Sequence, residues 1–217
     1  MAKKLTYEEE TERLSAMHEP ENEARREGFK IICGTDEAGR GPLAGPVCAA
    51  AVILPEGVLI RGLNDSKKLT PKRRDELFDE ITKTALAYAV AFSDEKRIDE
   101  INILNASLEA MNKAVAALKI KPDFTLVDGN ITRGLEFPCR AIVKGDSKSA
   151  SIAAASVLAK VSRDRYMIKA AELYPEYGFE KHKGYGTKAH CEAILKYGPC
   201  PIHRRSFLTK LLGDNEL

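Results

Sequence analysis

The chain has 217 residues, 44% of them apolar and 6% aromatic with no Trp, so it fits one large domain, alone or with a small appendage, whose core leans on Ala, Val, Ile and Leu. A formal charge of +2 does not by itself argue for nucleic-acid binding. The odd count of five cysteines, with no apolar leader ahead of them, sets reduced thiols in a cytoplasmic protein as the expectation, and no apolar run is long enough to span a bilayer.

Residues 5–29 are charged, with Leu5, Leu14 and Met17 as scattered apolar points, and read as a surface helix broken near Pro20. The apolar run at 30–35 predicts a first strand. A glycine-rich segment follows, and then a Val-, Ile- and Ala-rich strand over 47–54 that ends at Pro55-Glu56-Gly57, so the two strands form an antiparallel hairpin. Thr70 is a good N-cap and Pro71 suits the first position of a helix running to about residue 84. A third strand is predicted over 85–93 and a short helix over 94–101. Leu104, Leu108, Met111, Val115 and Leu118 recur at helical spacing and predict an amphipathic helix over 103–119. Strands four and five fall at 124–127, ending at Asp128-Gly129, and at 140–143, ending at Lys144-Gly145-Asp146. A long helix over 147–172 opens with small residues that permit close packing, and another helix covers 187–197. The pattern is α/β, with an N-terminal helical segment (1–29), a core (30–172) and a C-terminal extension (173–217). Between residues 181 and 210 the basic residues are Lys181, Lys183, Lys188, Lys196, Arg204, Arg205 and Lys210 against Glu192 alone, a surface able to follow a phosphate backbone or simply a solvated helix face.

Three strand ends carry acids: Asp36 with Glu37, then Asp128, then Asp146. Each has a plain alternative, an Asx-turn for Asp36, a turn for Asp128-Gly129 and a helix N-cap for Asp146. In an open α/β sheet, however, functional residues gather where loops diverge at strand ends. Crowded carboxylates repel unless a divalent cation joins them, and Mg²⁺ is held by a few carboxylates, waters and substrate phosphate. Two such ions about 4 Å apart can activate water and stabilise a leaving oxygen. Neighbours on a strand point to opposite faces, so Asp36 and Glu37 share one site only if the strand breaks between them.

The segment Asp36-Glu37-Ala38-Gly39-Arg40-Gly41-Pro42-Leu43-Ala44-Gly45 resembles the opening motif of the bacterial ribonuclease HII family. The resemblance continues through Asp65-Ser66-Lys67-Lys68-Leu69, Val127-Asp128-Gly129-Asn130, Lys144-Gly145-Asp146-Ser147, the 153–164 segment, Gly184-Tyr185-Gly186-Thr187 and His203-Arg204-Arg205-Ser206-Phe207. It implies a ribonuclease H-like mixed five-stranded sheet flanked by helices, with a C-terminal helical extension. It implies a four-acid site of Asp36, Glu37, Asp128 and Asp146 that uses Mg²⁺ or Mn²⁺. The implied reaction is hydrolysis of the RNA strand of an RNA–DNA hybrid, with incision 5′ of single ribonucleotides embedded in duplex DNA, leaving 3′-hydroxyl and 5′-phosphate ends. Asp164 is a rival fourth acid, better explained by a charge network with neighbouring arginines.

The 2′-hydroxyl distinguishes RNA from DNA. The resemblance assigns its recognition to the backbone of Gly39-Arg40-Gly41, and the ribo-to-deoxyribo junction to Tyr185. Lys67, Lys68, Lys148 and Arg204 are candidate phosphate contacts. His190, Cys191, Cys200 and His203 lie close in sequence, but their spacing matches no usual structural zinc pattern. Cys33 and Cys48 read as buried small apolar residues. A ribonuclease HIII would carry an extra N-terminal domain and a lysine at position 40, whereas fewer than 35 residues precede the first strand here. A hybrid-binding protein without catalysis would not need all four acids. No apolar seam is left over for assembly, so a monomer is expected.

Overall fold

The computed structural model describes residues 5–213. In chain order it contains α1 (Tyr7–Ala16), α2 (Glu19–Arg26), β1 (Ile32–Ala38), β2 (Val47–Ile53), α3 (Pro71–Thr84), β3 (Ala87–Ser93), α4 (Glu95–Ala116), β4 (Phe124–Asp128), β5 (Cys139–Ile142), α5 (Ala150–Leu173), α6 (Phe179–His182), α7 (Lys188–Tyr197) and α8 (Arg205–Leu212). The five strands form one mixed sheet in the order β3-β2-β1-β4-β5. β1 pairs antiparallel with β2 and parallel with β4, while β5 extends the parallel side.

Every residue of β2 is buried, as expected of a central strand covered on both faces. On one face lies α5, whose alanines and Val157 and Leu158 pack with Cys48, Ala50 and Val52. The approach is close enough that a Cβ at Gly34 would collide with the backbone of Ser151 and Ile152. The other face is covered by α4 through Ile98, Ala110, Met111 and Ala114. α4 merges the two helices expected at 94–101 and 103–119, with Asn102 at φ 65° as the non-helical joint. Local chemistry sets several helix starts: Thr70, Asp94, Ser149 and Thr187 each accept an N–H three residues on.

Two segments dock on this core. α1 and α2 bring Leu14 and Met17 into the α5 face. The buried Glu21 Oε1 accepts hydrogen bonds from Ser149 Oγ (2.6 Å), Ser151 N (2.9 Å) and Ser151 Oγ (2.5 Å) at the start of α5. A carboxylate suits the positive end of a helix. The C-terminal helices close a separate apolar cluster of Phe179, Ile194, Leu208 and Met167 beside Ala44.

Candidate active site

Parallel strands deliver their ends to one edge. Thr35 lies opposite Val127, so the next residues along β1 and β4, Asp36 and Asp128, emerge side by side. Asp146 comes from a single 3-10 turn, Gly145–Ser147, beyond β5, and Asp128 Oδ1 fastens that turn by accepting the Gly145 N–H at 2.7 Å. Ser149, not Asp146, caps α5. Asp36, Asp128 and Asp146 each bring a carboxylate oxygen within 4.8 Å of the others.

Little offsets this crowding. Asp36 is 2% exposed, its Oδ1 accepts the Glu37 N–H at 2.7 Å, and its buried Oδ2 has no hydrogen-bond partner. Burial, then the charges of Glu37 and Asp128, push the Asp36 carboxyl well above the usual carboxylate range. Burial and Asp128 push Asp146 the same way. Lys67 Nζ stands 3.6 Å from Asp146 Oδ2. Burial would lower the Lys67 pKa, but Asp36, Asp146 and Asp65 outweigh it and hold the ammonium charged. The cluster offers only hard oxygen donors, with one buried oxygen left over, and this donor set fits a divalent cation of the Mg²⁺ or Mn²⁺ kind.

β1 corrects one expectation: it does not stop before the acids but runs through them to Ala38, because pairing with β2 continues to Ala38 opposite Cys48. Glu37 therefore takes the α4 face, opposite Asp36. It lines a chamber of about 40 Å³ with Arg40, Ser107, Asp128 and Asn130. Asp128, at the tip of β4, is the residue common to both groups. Burial raises the Glu37 pKa against the pull of Arg40, whose Nη1 is 3.5 Å away.

Beside the acids, a cleft of about 270 Å³ is lined by Glu37, Gly39, Arg40, Gly41, Lys67 and Tyr185. A larger groove of about 550 Å³ meets it at Lys160 and Tyr185 and continues past Arg74, Arg165, Lys181 and Lys183. Tyr185 is 44% exposed, with Lys160 Nζ 5.9 Å from its ring centre. Gly41 faces it, since a Cβ there would sit 3.8 Å from Tyr185 Cε1. Gly39 has φ +99°, and a Cβ on it would strike Arg163. Lys68 Nζ donates to Ser147 Oγ at 3.1 Å, and Lys148 is exposed on the turn after Asp146.

Arg204 is the second correction. It is buried at 0% exposure, and its guanidinium donates to the carbonyls of Gly45 (2.8 Å), Arg40 (3.0 Å) and Gly39 (2.6 Å), so no N–H is turned outward to a phosphate. Burial and the neighbouring Arg163 lower its pKa to about 9, which leaves it charged at neutral pH. Arg163, not singled out from the sequence, acts alike from α5, donating to Pro46, Ala44 and Lys183 carbonyls at 2.9 Å each. Its signal was present: Ala159, Arg163, Met167 and Ala170 fall on one buried stripe of α5. Asp164 pairs with Lys160 at 2.7 Å and Arg74 at 3.8 Å, a charge network with other partners than its sequence neighbours. His190 and His203 are buried and bonded to one another. Among the described residues, all five cysteines are free thiols and no helix is long and apolar enough to cross a membrane.

Comparison with known proteins gives the family and the fold. The family model described as Ribonuclease HII matches residues 33–210. A ribonuclease HII of Caldicellulosiruptor saccharolyticus is 58% identical over 89% of this chain and 95% of its own length. That of Clostridioides difficile is 54% identical over 98% of this chain and 84% of its own. Among solved structures, the ribonuclease H2 of Pyrococcus horikoshii OT3 superposes with a TM-score of 0.70 at 32% identity, covering 84% of this chain and 97% of that one. Bst-RNase HIII in complex with Mn²⁺ shares the fold, with a TM-score of 0.58 at 17% identity over 91% of this chain and 68% of that one. With the family match spanning both the strands that carry the acids and the helices that frame the tyrosine, the chain belongs to the ribonuclease HII family, a family of metal-dependent endoribonucleases.

Proposed function

We propose that the protein hydrolyses the RNA strand of RNA–DNA hybrids and incises on the 5′ side of single ribonucleotides embedded in duplex DNA. The observation that carries this reading is a cleft lined by Glu37, a glycine-framed loop and an exposed tyrosine, whose Lys67 reaches to 3.6 Å from Asp146 of the clustered aspartates. Asp36, Asp128 and Asp146 would hold Mg²⁺ or Mn²⁺, with Glu37 beside Asp128. Such a cation supplies positive charge to the scissile phosphate and makes water more acidic when bound. The protein's own groups do the rest. Backbone N–H groups of Gly39, Arg40 and Gly41 approach the 2′-hydroxyl without side-chain obstruction at the glycines. The Tyr185 ring packs on the sugar that lacks a 2′-hydroxyl and so selects deoxyribose next to the cut. Lys67 stands at the cleft wall beside Asp146, where an ammonium can meet the phosphate as the acids are neutralised. Lys68 and Lys148 take flanking phosphates. The in-line displacement leaves 3′-hydroxyl and 5′-phosphate ends.

The test is a DNA duplex containing one ribonucleotide, incubated with the enzyme and Mg²⁺ or Mn²⁺, with the products mapped to the nucleotide. A single 5′ incision is expected. No cleavage with either metal overturns the reading and leaves a hybrid-binding protein in its place.

A further inference from the structure

Beneath the Gly184-Tyr185-Gly186 turn lies a buried chain of hydrogen bonds that the catalytic reading does not use. His190 Nδ1 is 2.9 Å from the Tyr185 carbonyl, His190 Nε2 is 3.0 Å from His203 Nε2, and His203 Nδ1 is 2.9 Å from the Cys200 amide nitrogen. Both ends are chemically fixed, because a carbonyl only accepts and an amide N–H only donates. His190 must therefore carry its proton on Nδ1, and His203 must leave Nδ1 bare. A neutral imidazole has one N–H, so His190 Nε2 is a lone pair and His203 Nε2–H points at it. The bonds run one way, from the Cys200 N–H through His203 and His190 to the Tyr185 carbonyl. A further proton would set two N–H groups against each other. Consistent with this, burial drives both histidines down to about 4.

The pair also spans the two loops of the cleft. His203 bridges to Ala44, and the Leu43 N–H donates to the Gly184 carbonyl at 2.8 Å. Arg204, the next residue, grips Gly39 and Arg40. Packing leaves the rings little room to turn: His182 stacks on His190 at 4.4 Å, and Phe179 meets it edge-on at 5.4 Å.

We infer that the His190–His203 pair is a positioning device for Tyr185, each ring locked in a different tautomer, which sets the tyrosine against the Gly39-Arg40-Gly41 loop and so determines discrimination at the ribo-to-deoxyribo junction. This rests on the junction reading of Tyr185 above. The first test is ¹⁵N NMR of histidine in the full-length enzyme at pH 7. His190 as the Nδ1–H tautomer and His203 as the Nε2–H tautomer are expected; the reverse assignment, or a doubly protonated ring, overturns the inference whatever the activity.

The second test compares cleavage of a single-ribonucleotide duplex with cleavage of a uniform hybrid. His190→Leu should lower the ratio of the two kcat/KM values about tenfold, the scale of one lost hydrogen bond. His190→Asn, whose amide can still donate to the Tyr185 carbonyl, should restore most of it, which rescue of mere core packing would not do. Tyr185→Ala is the reference. If Tyr185→Ala shifts the ratio and His190→Leu does not, the inference falls alone. If neither shifts it, the junction reading falls and the inference with it.

Discussion

The acid cluster and the recognition loops lie side by side, linked by Glu37 and Lys67, yet they are held by opposite means. The acids ride on regular strands, and the β1–β4 register alone sets Asp36 beside Asp128. Their charges are only partly offset, by Lys67 beside Asp146 and Arg40 beside Glu37, and Asp36 keeps a buried oxygen without a hydrogen-bond partner. The loops around Gly39–Gly45 and Gly184–Gly186 have almost no secondary structure of their own. Two buried arginines hold them, and these spend six N–H···O bonds on backbone carbonyls. Negative charge is thus left in excess where a cation is to enter, while positive charge is spent on carbonyls where backbone must keep a shape the chain would not choose.

The sharpest way to break this contrast is to remove one charge from each half. Asp128→Asn should lower single-turnover cleavage by roughly a thousandfold or more while hybrid binding persists. Retained cleavage would take Asp128 out of the site. Arg204→Met should act through stability instead, costing about 3 kcal/mol in urea denaturation because two buried carbonyls and one partly buried one lose their donor. Arg204→Lys should rescue little, since one ammonium cannot reproduce the planar fork. A stable Arg204→Met enzyme with weakened phosphate contacts would restore the surface role.

Asp36→Asn should abolish cleavage yet stabilise the metal-free protein by about 1–2 kcal/mol, because it relieves a buried, repelled carboxylate. A lower Tm in the metal-free variant would contradict that. The smallest effect is in pH. His190 and His203 sit at about 4 in the folded protein, below the ordinary histidine value. The unfolded chain therefore binds more protons between about pH 6.5 and 4, and stability declines as pH falls through that window. The acids act with the opposite sign. Their raised pKa values make the metal-free fold lose stability as pH rises above the ordinary carboxylate range. Denaturation midpoints with and without Mg²⁺ should separate the two: the cation should flatten the alkaline loss and leave the acidic one. Equal effects on both limbs would refute the assignment.

The convergence of Asp36, Asp128 and Asp146 was legible because strand ends and turns leave local marks, such as Gly after Asp128 and the turn residues before Asp146; the facing of Glu37 was not. The hairpin, the amphipathic α4 and the small-residue face of α5 were legible for the same reason. The end of β1 was not, because its length depends on how far β2 continues to pair, which is a tertiary fact. Arg204 misled because a cation within a basic run looks exposed; only the loop carbonyls it binds, about 160 residues earlier, reveal that it is interior. Glu21 read as one more charge on a surface helix, yet it is buried, because its partners Ser149 and Ser151 lie 128 and 130 residues away.

That last separation has a consequence for how the protein comes into being. At synthesis rates of about 5–20 residues per second, Glu21 waits on the order of ten seconds before Ser149 and Ser151 leave the ribosome. Until then Leu14 of α1 and Met17 at its C-cap have no α5 to cover them. Asp146 precedes those serines by only a few residues, so the helices that emerge first and the last of the clustered aspartates find their places together.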